Sequence, residues 1–145
     1  MDSQLTIRVT GIPKAQPRHR AFAQRQKGGG FRARVYDPGT AEGWKGMIAQ
    51  AIAENSIETI LNPSRIDIVW LFPRPKRLLR KRDPEGRIPH TAKPDRDNLD
   101  KAVMDALVQL NVLSDDCIVW DGRLSKYYAA KDEAPGAIIT IYTEP

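Results

Sequence analysis

Cysteine is nearly absent from this 145-residue chain. The single thiol, Cys117, leaves no internal disulfide and no companion for a zinc site, which suits a reducing compartment. No apolar run approaches the length that crosses a bilayer. The first residues lack the basic-then-apolar pattern of a secretory signal. Internal repeats and low-complexity tracts are missing too. The expectation is a soluble, cytoplasmic protein forming one domain over residues 1–145, large enough for a modest core without covalent staples.

Acid is missing from two stretches. Residues 14–34 hold Lys14, Arg18, Arg20, Arg25, Lys27, Arg32 and Arg34 with no Asp or Glu, and residues 74–82 hold Arg74, Lys76, Arg77, Arg80, Lys81 and Arg82, again without acid. The net charge is +5 and the pI about 9.5, which favours a polyanionic partner. Basic loops are often only solvated, but two acid-free blocks in so small a chain favour phosphate contacts. Lys14, Arg18, Arg20 and the six cations of 74–82 are therefore candidate DNA contacts.

Residues 5–10 alternate as a short strand, closed by Gly11-Ile12-Pro13. Residues 14–30 read as a basic loop ending in Gly28-Gly29-Gly30, whose spacing is not that of a phosphate-cradling G-x-G-x-x-G turn. It reads instead as a flexible tip. Residues 31–36 suggest a second strand, after which Asp37-Pro38 opens a helix with the stripe Trp44, Met47, Ile48, Ala51 and Ile52. In 66–72, Ile66, Ile68, Trp70 and Phe72 share one face while Val69 and Leu71 share the other, the pattern of a central strand. Pro73, Pro75, Pro84, Pro89 and Pro94 leave no regular element between 73 and 94. Residues 97–110 form the best helix, with Leu99, Ala102, Val103, Ala106, Leu107 and Leu110 at helical spacing. Residues 117–128 read as a strand with Gly122 as a bulge, and 137–142 as the last strand after a Pro135-Gly136 turn. The predicted fold is α+β: a mixed, largely antiparallel sheet of about four strands with two main helices, in the order β-(β)-α-β-α-β-β.

The acids gather around the second helix. Asp95 and Asp97 stand at its mouth, where backbone N–H groups are unpaired and the dipole favours anions. An N-cap at Asp97 with Asp100 as its capping-box partner explains part of this. It leaves Asp95 unexplained, and it does not account for Lys101 on the face of Asp97. An EF-hand loop counted from Asp95 fails, because Asp100 stands where glycine is needed and Ala106 where glutamate is needed. Taken alone, Ser114-Asp115-Asp116 is a turn before a strand. Beside Asp95 and Asp97 it supplies a third carboxylate for a Mg²⁺ or Mn²⁺ site. Alternation points one of Asp115 and Asp116 inward, and the pattern does not say which.

Lys101 is either a solvated lysine paired with Asp97 or a cation beside a scissile phosphate. Lys126 would lie about 33 Å from Asp116 along a straight strand, at about 3.3 Å per residue, and so reads as a phosphate contact. His19 and His90 have no Ser or Cys partner at motif spacing. A basic chain with such an acidic knot has the composition of a metal-dependent nuclease.

The block D-x-D-N-L-x-K-x-x-x-D-A-L at Asp95, Asp97, Asn98, Leu99, Lys101, Asp105, Ala106 and Leu107, followed by Asp115-Asp116, resembles the RusA family of Holliday-junction resolvases of bacteria and their phages. The opening GIPKAQPR is similar to that family's start. The resemblance implies a homodimeric, Mg²⁺-dependent endonuclease that nicks four-way DNA junctions symmetrically. It places the family's metal-binding acids on Asp95, Asp97 and Asp116, with Asp115 less favoured, and its essential lysine on Lys101. Met104 and Val108, beside the polar face of the helix, are candidates for a dimer contact. Two other readings stand beside this one: a metal nuclease for flaps or other branched DNA, and a non-catalytic DNA-binding module whose acids merely cap a helix.

Overall fold

The alternation of Ile66, Ile68, Trp70 and Phe72 becomes the middle strand of the sheet. In the computed structural model, which describes residues 3–16, 20–25, 31–36 and 42–144 (of 20–25 and 31–36 the backbone course alone), the elements run β1 (Ser3–Thr10), β2 (Arg20–Arg25), β3 (Phe31–Tyr36), α1 (Glu42–Asn55), β4 (Pro63–Phe72), β5 (Ile88–Pro89), α2 (Arg96–Gln109), β6 (Leu124–Tyr128) and β7 (Gly136–Thr143). Five strands form one mixed sheet in the order β1-β7-β4-β6-β5, and β2 and β3 form a separate antiparallel pair. Within the larger sheet only β4 and β6 run parallel. The fold is α+β, as the sequence predicts.

Register builds the core in rows. Leu5, Ile141 and Ile66 lie side by side across β1, β7 and β4, as do Ile7, Ile139 and Ile68, then Val9, Ala137 and Trp70. On β6, Leu124 sits opposite Ile68 and Tyr128 opposite Phe72. Helix α1 contributes Trp44, Ile48, Ala51 and Ile52 to this core, and α2 contributes Leu99, Ala102, Val103, Ala106 and Leu107. Each large side chain removed from water here is worth roughly 1.5–3 kcal/mol. Helix α2 ends where Asn111 turns into the left-handed region at φ 59. That conformation suits Asn after a helix and returns the Val112 N–H to the Leu107 carbonyl at 2.9 Å.

Three expectations change. Residues 20–25, read as loop, are a strand paired with β3 from Arg20↔Tyr36 to Arg25↔Phe31; the strand RAFAQR carries little β-propensity, and its partner's backbone groups supply what its own side chains do not advertise. The 73–94 segment is organised by a side chain rather than by periodicity. The Arg74 guanidinium donates to the carbonyls of Ala129 at 2.9 Å, Leu78 at 3.0 Å and Glu85 at 3.3 Å, and to that of Gly86. A short 3-10 turn at Lys76–Leu78 and the strand β5 are the result. Finally, only Leu124–Tyr128 of the expected 117–128 strand is extended in the sheet, preceded by a 3-10 turn at Asp116–Ile118. Gly122 is no bulge there: a Cβ on it would meet the Ile66 carbonyl oxygen at 1.9 Å, so only glycine permits the approach. The Gly28-Gly29-Gly30 tip, the Asp37-Pro38 helix opening, Arg18 and His19 lie outside the described residues.

Glu133 ties separate elements together. It accepts from Arg87 Nε at 3.0 Å and Nη2 at 2.7 Å and from the Ala130 N–H at 3.1 Å, with Arg8 at 3.7 Å. The Arg87 guanidinium holds the carboxyl down to about 2, below its usual 4.5. A depressed folded-state pKa stabilises above the unfolded value and loses that contribution as pH falls. Glu133→Gln should therefore cost about 0.5–1 kcal/mol at pH 7. The deficit should shrink as the wild type is titrated from about pH 4.5 towards 2, read by urea melts across that window; a gap that stays constant with pH would contradict the assignment.

Candidate functional site

The helix mouth is built by the chain before it. Lys93 and Pro94 are joined by a cis peptide bond, and Asp95 follows as the extended N-cap of α2 at φ −71, ψ 150. Asp95 thus takes the capping position that the sequence suggested for Asp97. Its backbone carbonyl accepts from the Leu99 N–H at 3.1 Å, but its side chain makes no capping bond. The Asp95 carboxylate instead lies 3.2 Å from Lys93 Nζ. Asp97 stands in the first turn.

Four backbone-directed bonds fix this mouth against the sheet and the N-terminal segment. Lys126 Nζ donates to the Ala92 carbonyl at 2.7 Å and the Pro94 carbonyl at 2.8 Å. Arg96 Nη1 donates to the Leu124 carbonyl at 3.1 Å. The Gln16 N–H reaches the Asn98 carbonyl at 3.0 Å, which brings the segment carrying exposed Lys14 to the same helix. Lys126, expected as a phosphate contact, therefore directs two of its three donors to the turn that presents Asp95. Its place opposite Trp70 on β6 explains this, because it puts the side chain on the helix-covered face.

A cleft of about 540 Å³ opens beside the helix, lined from α2 by Asp97, Asp100, Lys101 and Met104, and from the chain beyond it by Asp116, Cys117 and residues 119–122. The structure thus brings Asp97, Lys101 and Asp116 together. Asp95 is not among the lining residues. Asp115 turns away into a local role, accepting from the Cys117 N–H at 3.2 Å as the cap of the 3-10 turn. Lys101 pairs with Asp105 at 3.2 Å rather than with Asp97. Among the described residues no group of three or more His, Cys, Asp or Glu side chains is placed so that it could hold a metal ion.

Sequence reasoning gave Asp100 only a capping part. It lies three residues from Asp97, which is the spacing of one helix face, and it lines the same cleft. Burial pushes its carboxyl above the usual range, and the neighbouring Asp116 charge adds to that. The exposed indole of Trp120 was also missed, since a lone Trp in a loop carries no pattern. Met104 is not left over for a second chain: it is buried in the core, and Val108 packs against it. His90 is buried between the rings of Phe72 at 4.1 Å and Tyr128 at 4.7 Å. Burial, then the Lys126 charge, lowers its pKa, so it is a neutral core ring.

The basic block divides. Arg74 is consumed by carbonyls, whereas Lys76, Arg77, Arg80, Lys81 and Arg82 are exposed and none has an ion-pair partner among the described residues. Arg18 lies outside the described residues, as does the side chain of Arg20.

The family model described as Endodeoxyribonuclease RusA matches residues 10–142, and so spans the helix mouth, the cleft and the basic block. The chain belongs to the RusA endodeoxyribonuclease family. A protein of Bacillus subtilis (strain 168) called "Uncharacterized protein YqaN" is 32% identical over 127 residues, covering 83% of this chain and 85% of that one. With RusA membership comes the coarse activity, a nuclease acting on Holliday junctions. No helix among the described residues is long and apolar enough to cross a membrane.

Lys126→Met removes the brace behind the helix mouth of this RusA nuclease without touching the cleft. Junction cleavage should fall about tenfold, equivalent to ~1.4 kcal/mol in the barrier, while circular dichroism shows the fold retained. Unchanged turnover would show that the 92–95 turn holds itself.

Proposed function

We propose that this chain is a homodimeric, Mg²⁺-dependent endonuclease of the bacterial cytoplasm. It resolves four-way DNA junctions in recombination and repair by symmetric, paired phosphodiester hydrolysis. The observation that carries the reading is the meeting of Asp97, Asp100, Lys101 and Asp116 in one open cleft. The acids suit a hard divalent ion: they offer oxygen ligands only, and the Asp116 charge lies close enough to oppose the ionisation of Asp100, a repulsion that a cation offsets. Asp97 and Asp116 would hold Mg²⁺, or Mn²⁺ in its place, together with Asp95 or Asp100. A bound ion of this kind supplies an activated water and charge stabilisation at the leaving 3′-oxygen.

The remaining work falls to the chain's own groups. Lys101, released from Asp105, presents its ammonium to the phosphate whose charge grows as the P–O3′ bond breaks. The exposed cations of the 76–82 stretch hold backbone phosphates at a distance from the chemistry. One cleft per chain reaches one strand. Two clefts related by a C2 axis match the two-fold symmetry of a junction, which is why a dimer belongs to the proposal.

Asp97→Asn and Asp116→Asn should each lower cleavage of a four-way junction at least about a hundredfold, some ~2.7 kcal/mol, with junction binding intact or tighter. Asp115→Asn should stay near wild type. Near-normal cleavage by the Asp97 or Asp116 variant at saturating Mg²⁺ would remove that acid from the site. A flap and a linear duplex in the same assay separate junction resolution from general branched-DNA cleavage.

Replacing Arg80, Lys81 and Arg82 together by Ala should weaken binding to every DNA shape. It should also flatten the salt dependence by up to about three in the logarithmic slope, at about 0.9 per phosphate contact. An unaltered slope in gel-shift titrations would mark the 76–82 stretch as merely solvated.

A further inference from the structure

Among the described residues Trp120 is 69% exposed, while Trp44 and Trp70 are 2% and 0% exposed. Its indole lines the cleft that holds Asp97, Lys101 and Asp116. The backbone on either side is anchored. Ile118 and Val119 pack against the core. Beyond Trp120, the Asp121 carbonyl accepts from the Ile66 N–H at 3.0 Å and the Arg123 carbonyl from the Ile68 N–H at 2.9 Å. Gly122 between them approaches the Ile66 carbonyl too closely for any side chain. A large aromatic surface is therefore held outward by a fixed loop, beside the acids, with no part of the described chain covering it. An indole so placed offers a rigid apolar face with a polar edge in the wall of the cleft, a surface suited to a partner.

We infer that Trp120 is a stacking platform for a nucleobase unstacked at the branch point of the DNA, and so a residue that selects branched over continuous duplex. The inference rests on the nuclease reading above, since the strand that brings its phosphate to Asp97 and Asp116 must pass the indole. Every base offers a π-face, so stacking here imposes no sequence. A continuous duplex keeps its bases paired and stacked and offers no free face, whereas bases at a four-way crossover can swing out at lower cost. The platform acts on binding and strand placement, not on the bond that breaks.

Because the other two tryptophans are buried, red-shifted and acrylamide-accessible emission reports on Trp120. The full-length Asp116→Asn chain in Mg²⁺ is titrated with a four-way junction, and separately with two linear duplexes that together carry the same number of ends. The junction should quench the exposed emission by more than about half and shield it from acrylamide, with little effect from the duplexes. In the otherwise wild-type chain, Trp120→Ala should weaken junction binding about tenfold and leave duplex binding unchanged, and Trp120→Phe should retain most of the affinity. Equal quenching by both DNAs, or a Trp120→Ala chain with wild-type junction affinity, overturns the inference. So does free protein whose Trp120 is shielded at micromolar concentration and exposed on dilution, which would make the indole a contact between copies of this chain. Wild-type chain that cleaves junctions while Trp120 stays silent sinks the platform alone. Quenching without any cleavage by the wild type sinks the nuclease reading and leaves the platform standing.

Discussion

Gly122 lies so near the Ile66 carbonyl that a Cβ would meet the oxygen at 1.9 Å. This approach lets the chain leaving α2 settle beside β4 and run parallel to it as β6. Everything at the cleft follows from that placement. The parallel return lays the Asp116–Ile118 turn against α2 and brings Asp116 to the cleft that Asp97 and Asp100 also line. It also sets Lys126 opposite Trp70 on the covered face, from which it reaches back to the Ala92 and Pro94 carbonyls. The chain from this turn through β6 thus brings Asp116 to the cleft at one end and braces the helix mouth at the other.

The charges are arranged in two zones with different work. Asp100 lies in the cleft within reach of the Asp116 charge, and the proposed divalent cation would relieve that repulsion. Cations with no ion-pair partner among the described residues stand on a loop that Arg74 and Lys131 hold in shape, Lys131 through the Arg80 carbonyl at 2.8 Å. On the proposed function a polyanion would be attracted by the second zone and would meet the first with metal in place. Substrate affinity and chemistry would be separable on this plan, so neutralising an acid should spare binding.

Elements with a strong period were legible in the sequence. The stripe of α2 from Leu99 to Leu107, that of α1 from Trp44 to Ile52 and the one-face alternation of β4 all became core, because burial of one face is what periodicity records. The candidate site was legible through the spacing of Asp95, Asp97 and Lys101, with the family resemblance choosing Asp116 over Asp115. Three of these four line the cleft and Asp95 caps the helix. What escaped was non-local. Arg74 as the organiser of its loop, Lys126 as a brace and Gly122 as a close approach each depend on a partner far away in sequence, which no local pattern encodes. Met104 shows the same limit: it looks spare in one dimension and is buried in the core in three, with Val108 partly buried against that core.

The proposed divalent ion would be held jointly by the first turn of α2 and the turn that follows the helix. Mn²⁺ titration followed by electron paramagnetic resonance measures this without DNA and without turnover. Wild-type protein should bind Mn²⁺ competitively with Mg²⁺. Asp97→Asn and Asp116→Asn should each weaken that binding at least about tenfold, or ~1.4 kcal/mol, with Asp115→Asn indistinguishable from wild type. Wild-type protein that leaves Mn²⁺ free, or Asp97 and Asp116 variants that bind it undiminished, would contradict the account at its centre.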